Sequence, residues 1–204
     1  MAEISAKDVK ELRDRTGAGI MDCKAALAEA DGDLDRAIEL LRIKGQASAA
    51  KRSGKDTGEG LVASYIHANA KVGVLVEVQC ETDFVARSDE FKDFANEVAI
   101  HIAGAPSTPA YVSADEISDD ARDAERKLFE EKAREEGKPD DIVARIVDGQ
   151  LDKWSREVAL LEQEHIRTDR HEGKTIEELR AAISAKTGEN VRIARFAHFR
   201  VGEE

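Results

Sequence analysis

Residues able to do chemistry are scattered along the 204-residue chain and form no recognisable catalytic pattern. The stretch TGAGIMDCK, Thr16 to Lys24, has glycines in the manner of a phosphate-cradling loop. Such a loop needs a preceding strand and a Gly-Lys-Ser/Thr ending, so that backbone N–H groups surround the phosphate. Neither is present, and the stretch reads as a helix-to-helix turn. Histidines stand at 67, 101, 165, 171 and 198 without the spacing to Cys or paired carboxylates that a metal site uses. Cys23 and Cys80 lie far apart with no partner motif, so they read as small apolar residues rather than a disulfide frame. No Ser-His-Asp or Cys-His arrangement is visible. The many Asp and Glu residues follow helix faces, so naming two of them a general acid and base would be arbitrary. The expectation is a protein that is not an enzyme and carries no metal or cofactor.

Phe84 is different. It sits in ETDFVARSDEF, residues 81 to 91, behind two short polar residues, where a strand stops and a helix has yet to start. Turns are polar because their backbone meets water. A large ring there either folds back beneath the helix beside Phe91 or is offered to something outside, and the residues alone leave both open.

Composition narrows the class of partner. With 41% hydrophobic and 36% charged residues, the chain reads as globular, with long amphipathic helices whose outer faces are wet. A formal charge of −12 argues against sequence-independent nucleic-acid binding, which relies on Lys and Arg at phosphates. No apolar run approaches the roughly 18 residues that span a bilayer, and MAEISAKDVKEL lacks the basic start and apolar core of a signal peptide, so the expected compartment is the cytoplasm. Charge is uneven. Arg42 to Lys55 holds five basic residues and no acid, whereas Asp115 to Asp141 has 12 acids against 6 bases.

The elements that must position these residues follow from periodicity. Residues 1–45 read as a three-helix module: Ser5 with Asp8 resembles a cap, Met21 to Ala30 is a second helix, and Leu34, Ala37, Ile38 and Leu41 stripe a third. Residues 46–60 read as a polar linker, and 61–204 as an α+β core domain with a dimerisation surface. Within the core, Val72, Val74, Val76, Val78 and Cys80 alternate with more polar neighbours, which is the period of a strand. GLVASYIHA before it, joined through NAK, makes a hairpin, and VRIARFAHFRV supplies a third strand. Ser88 caps a helix whose stripe is Phe91, Phe94, Ala95, Val98 and Ile102. A highly charged helix with Ile117, Ala121, Ala124 and Leu128 as its stripe follows, then one from about Asp140 to Gln163. The capping box of Thr175 and Glu178 opens the last helix. The fold class is α+β: an N-terminal three-helix, ubiquitin-associated-like module, then a three-stranded antiparallel sheet covered by helices.

Four segments in order, LRDRTGAGIMDCKAAL, EVQCETDFVAR, GKPDDIVARIVDGQLDKWSREVALLEQ and RFAHFRVGEE, resemble the elongation factor Ts family and span nearly the whole chain. The resemblance implies a guanine nucleotide exchange factor that binds elongation factor Tu, expels GDP with Mg²⁺, and leaves when GTP loads. It implies that Asp83 and Phe84 of the TDF motif, flanked by Thr82 and Val85, reach towards the partner's Mg²⁺ site. Ile20, Met21 and Lys24 would form a docking face, His101 would approach the partner, and Val72 with Gly73 would touch another of its domains. Where the family often has QPF this chain has QEHI, Gln163 to Ile166, which puts a contact from that segment in doubt. Long members carry two core modules and this chain has room for one, so a homodimer is expected. The alternative is a ubiquitin-associated-like adaptor or chaperone without exchange activity, which leaves TDFVAR without a role.

Overall fold

Ser5 begins the first helix by accepting the Asp8 N–H on its hydroxyl at 3.1 Å, and Gly17, in the left-handed conformation at φ +70°, ends it. The computed structural model describes residues 4–203, the side chains of 140 and 141 excepted. Three helices come first: α1 (Ala6–Thr16), α2 (Ile20–Glu29) and α3 (Leu34–Arg52), the last capped by the Asp33 carboxylate. Leu12, Cys23, Ala26, Leu27 and Ala37 make their common core, with Leu34, Ile38 and Leu41 packed at its edge.

Helix α3 runs further than its sequence suggests. Residues 46–52, read as linker because they lack a large apolar period, are helical. The reason is local: Gln46, Ala47, Ala49, Ala50, Lys51 and Arg52 are good helix formers. Ala49 is also fully buried, a small residue supplying a contact that a search for Leu and Val stripes passes over.

The sheet has strand order β1-β2-β3, with β1 at Glu59–Ile66, β2 at Val72–Cys80 and β3 at Arg192–Arg200, and it is antiparallel. The β1–β2 hairpin closes with the His67 N–H on the Val72 carbonyl at 2.9 Å. Val74, Val76, Val78 and Cys80 are buried while Leu75 is exposed, so the alternation read from β2 sorts one face inward. Gly60 in β1 lies against β2. At φ +153° an added Cβ would stand 2.2 Å from the Val78 carbonyl oxygen, and only glycine fits.

Between β2 and β3 come α4 (Asp83–Ala86), α5 (Asp89–Gly104), α6 (Asp119–Glu135), α7 (Asp140–Val158), α8 (Thr168–His171) and α9 (Ile176–Thr187). Ser88 caps α5 through the Phe91 N–H at 3.3 Å, and Phe91, Phe94, Ala95, Val98 and Ile102 are buried along it, as the stripe predicts. The stripe assigned to α6 needs correcting. Ile117 is buried but precedes the helix, Leu128 is exposed, and the contacts with Val143, Val147 and Leu151 of α7 come from Ala133 and Phe129. Helix α7 ends at Val158, before the expected Gln163, where a 3₁₀ turn over Leu160–Glu162 takes over.

By contacts the chain forms two compact units: one holds residues up to Ala63 with Glu77–Ala95 and Glu178–Ile193, the other Ser64–Val76 with Asn96–Glu177 and Ala194 onward. Among the described residues no helix is long and apolar enough to cross a membrane. Gly60→Ala is expected to lower unfolding free energy by more than about 2 kcal/mol in a urea titration, because backbone cannot yield to the new Cβ as a flexible side chain would.

Candidate functional site

Thr82 turns the chain at the end of β2. Its hydroxyl accepts the Val85 N–H at 3.4 Å, making it the N-cap of the single helical turn α4. Val85 and Ala86 point inward and are buried, which leaves Phe84 on the outer side of the turn, 82% exposed. Among the described large apolar residues none is more exposed. Leaving such a ring in water forgoes roughly 2 kcal/mol of burial, so the turn presents Phe84 outward at a cost to stability. Asp83 beside it is also exposed and meets Arg87 one helical turn on, at 3.0 Å.

The turn is held from behind by two carboxylates exchanged between loops. Glu189, just before β3, accepts the Glu81 and Thr82 N–H groups, each at 3.0 Å, on one oxygen, and the Thr82 hydroxyl at 2.6 Å on the other. Glu81 in turn accepts the Asn190 N–H at 2.6 Å and the Lys55 ammonium at 3.0 Å. Those two interactions, the backbone one first, hold the Glu81 carboxyl below its ordinary range. Asn190 is buried and its side-chain amide donates to the Lys55 carbonyl at 2.9 Å. The Cys80 thiol donates to the Thr82 carbonyl at 3.2 Å; burial, with the Glu189 carboxylate adding to it, pushes the thiol up to about 11. That proton stays in place at neutral pH, so Cys80 is structural and not a nucleophile. Sequence reasoning missed Glu189 and Asn190 because they lie more than 100 positions from the turn they hold. Their one local signal was KTGEN, whose Gly188 at φ +76° ends α9 and leaves the next two residues outside the helix.

The N-terminal helices belong to the same compact unit as this turn. Ile20 and Met21 at the start of α2 are 55% and 76% exposed, and Lys24 on the next turn is exposed too, so all three lie on an open face. The module is tied to α9. Arg42 pairs with Glu178, and Lys186 runs past Gly17 to reach Glu90 at 3.0 Å. A Cβ on Gly45 would stand in ordinary contact with Ala185, at 3.7 Å.

In the second unit, Val72 and Gly73 line a groove of about 460 Å³ together with Ile66, Leu75, Phe199 and Val201. The last four side chains are largely exposed. A Cβ on Gly73 would stand 3.0 Å from Cδ1 of Ile66, the end of an exposed side chain that has room to move aside.

His101 is fully buried and reaches no surface. The Ile166 N–H donates to its Nδ1 at 3.2 Å, which fixes the proton on Nε2, and that N–H donates to the side-chain Oε1 of Gln163 at 2.8 Å. Gln163 is anchored by the Ser107 carbonyl at 3.0 Å. Burial lowers the His101 pKa to about 4, so the ring is neutral at physiological pH. In the divergent QEHI segment Gln163 and Ile166, both half-buried, grip His101, His165 is buried, and Glu164 is exposed. A cleft of about 830 Å³ opens above His101, lined by Ser107, Asp152, Lys153, Arg156 and Glu164 among others.

A buried cluster that sequence spacing did not reveal gathers Glu97, His165 and His171, whose potential ligand atoms lie within 4.8 Å of one another. Its chemistry is that of ion pairs. Glu97 accepts Arg167 at 2.8 Å, Arg170, and His171 Nε2 at 3.0 Å. His165 donates from Nε2 to the Glu97 carbonyl at 3.0 Å and accepts the Arg167 N–H on Nδ1 at 3.1 Å, so it has no lone pair for a cation.

Comparison with known proteins agrees with this arrangement of elements. A sequence model of the family described as elongation factor TS matches residues 5–172. An elongation factor Ts of Thermoanaerobacter sp. (strain X514) is 50% identical over 200 residues, covering 98% of this chain and 96% of its own. That of Fervidobacterium nodosum is 46% identical over 98% of this chain and 100% of its own, and that of Desulfosudis oleivorans 47% identical over 100% of both.

The buried histidine gives a pH dependence with a definite sign. The folded pKa of His101 lies below the ordinary 6.5, so the unfolded chain takes the proton first as pH falls. Its contribution is complete above about pH 6.5 and is lost as pH falls towards 4, amounting to about 3 kcal/mol. His165, lowered chiefly by burial, acts in the same direction. Urea midpoints at pH 7 and 4.5 are expected to differ accordingly, and to differ less in His101→Gln.

Proposed function

The chain belongs to the elongation factor Ts family, and on that premise we propose that it is the guanine nucleotide exchange factor for elongation factor Tu, working in the cytoplasm during translation elongation. It binds the GDP form, promotes loss of GDP and Mg²⁺, and is released when GTP binds, with no bond made or broken. The observation that carries this reading is Phe84: a large ring held in water by a turn that is braced from behind.

Docking begins at α2, where exposed Ile20 and Met21 supply apolar area and Lys24 a charge. Asp83 and Phe84 then enter the nucleotide domain near the Mg²⁺ site. A ring of that size driven into a close-packed interior moves whole elements rather than deforming them gradually, because packed cores switch between discrete arrangements. The carboxylate of Asp83 brings negative charge towards the metal and phosphate ligands. Thr82 and Val85 hold the turn that presents both residues, one as its cap and the other as its buried anchor. Val72 and Gly73 meet a second domain of the partner. His101, being enclosed, contributes by fixing the Gln163–Ile166 segment over which the cleft opens, rather than by touching the partner itself. Linkage then sets the limits: the factor by which this chain weakens GDP is the factor by which GDP weakens this chain, so exchange passes through a ternary complex holding both loosely.

Two copies of the chain pair, each bringing one core module. Light scattering is expected to give twice the chain mass; a wild-type monomer that still exchanges nucleotide would remove the dimer.

Release of a fluorescent GDP from elongation factor Tu, followed by stopped flow with excess unlabelled GDP, tests the exchange reading. The rate is expected to rise with chain concentration. Phe84→Ala should slow it by about tenfold or more while leaving stability within about 0.5 kcal/mol, as for other exposed side chains. Full activity in that variant would sink the wedge.

A further inference from the structure

Glu189 is part of the brace behind the turn, and the exchange reading gives it no role of its own. It is half-buried, and among the described residues its carboxylate pairs with no Lys or Arg. Both oxygens are given to one short target, the Glu81 and Thr82 backbone N–H groups and the Thr82 hydroxyl. The residue itself is fixed. Its carbonyl accepts the Ser184 hydroxyl at 2.5 Å, its N–H donates to Thr187, and Gly188 before it occupies the left-handed conformation. A carboxylate anchored at the end of a long helix therefore grips the two residues immediately before Asp83 and Phe84.

From this geometry we infer that Glu189 is the positioning residue of the exchange reaction: by gripping the Glu81 and Thr82 amides and the Thr82 hydroxyl, it sets the direction in which Phe84 leaves the surface. The inference rests on the exchange reading proposed above. Two features separate this from a general strand-end staple. The Thr82 hydroxyl it binds is the same one that caps α4, so the grip controls how the cap hydroxyl is turned. Its bonds also end at the residue that starts the turn, two positions before the ring. A charged acceptor binding backbone N–H groups is among the stronger hydrogen bonds available, and nothing else in the described structure accepts those two amides. Release of the grip leaves the turn free to rotate, and a displacement of about 1 Å at a working group can reduce a rate by as much as a hundredfold.

The test is a double-mutant cycle on release of fluorescent GDP from elongation factor Tu, using the full chain as wild type, Glu189→Ala, Glu189→Gln, Phe84→Ala and the Glu189→Ala/Phe84→Ala pair. Glu189→Ala is expected to lower the maximal release rate about tenfold, with the half-saturating concentration moving less than about twofold, since the α2 face still docks. Glu189→Gln, which keeps one oxygen for the two amides, should recover most of the loss. In the Phe84→Ala background, read above the spontaneous rate, Glu189→Ala should change almost nothing, because it acts through that ring. A wild-type rate in Glu189→Ala, or losses that multiply in the pair, would overturn the positioning role while the exchange reading stood. A wild-type chain that fails to speed release removes the exchange reading, and the positioning role with it. If thermal melts show that Glu189→Ala is unfolded, Thr82→Val, which removes the gripped hydroxyl from an exposed position, takes its place in the same cycle with the same expected non-additivity.

Discussion

Two loops, one leaving β2 and one entering β3, exchange carboxylates: Glu189 takes the amides at 81 and 82, and Glu81 takes the amide at 190. Strand ends leave backbone N–H groups without ladder partners, and a buried or half-buried N–H must be satisfied somewhere. Here each loop satisfies the other, and Lys55 and Asn190 bring in the chain that leads from α3 to β1. Three chain passes distant in sequence are thereby fixed at one corner. An exposed aromatic ring can keep a defined direction on a surface turn only if its backbone is determined by something other than the ring's own packing.

The second unit follows the same logic with histidines. His101 and His165 are buried, yet each has both ring nitrogens engaged, one accepting a backbone N–H and the other donating. Neutral imidazole suits such a place because it offers one donor and one acceptor without carrying charge into the interior. Glu97 is the charged member nearby, and two guanidiniums with His171 surround it. A lone buried carboxylate would be prohibitively costly; a surrounded one fastens α8 and its approach to α5.

Much of this was legible because it is local. The alternation of β2, the Ser5 and Ser88 caps and the stripe of α5 depend on neighbours within a few positions, and the structure follows them. Phe84 was legible as an anomaly but not as an answer, since whether a ring folds in or out depends on which neighbours take the core. Val85 and Ala86 took it. The end of α3 was misread because alanine both favours helix and fills small gaps, so a helix that packs through Ala49 shows no stripe of large residues. Leu128 was misplaced for the converse reason: a large apolar residue at helical spacing is no guarantee of burial when its helix is covered along one narrow line. The grip of Glu189 and the Glu97 cluster join residues about 70 to 110 positions apart in sequence, and no local pattern announces such pairs.

The ties between the N-terminal helices and α9 carry a thermodynamic consequence. Arg42 of α3 pairs with Glu178 of α9, Lys186 of α9 passes Gly17 to pair with Glu90 of α5, and the open face of α2 and the ring of Phe84 lie in one compact unit. Two contact patches on one such unit lose translational and rotational freedom once, not twice, when they meet a common target. After the first patch engages, the second is presented at a high effective concentration, limited only by the residual flexibility between them. Helix α3, continuous to Arg52 where a loose tether was expected, limits that flexibility, so under the proposed exchange reading docking at the helices and insertion of the ring would be successive steps of a single encounter.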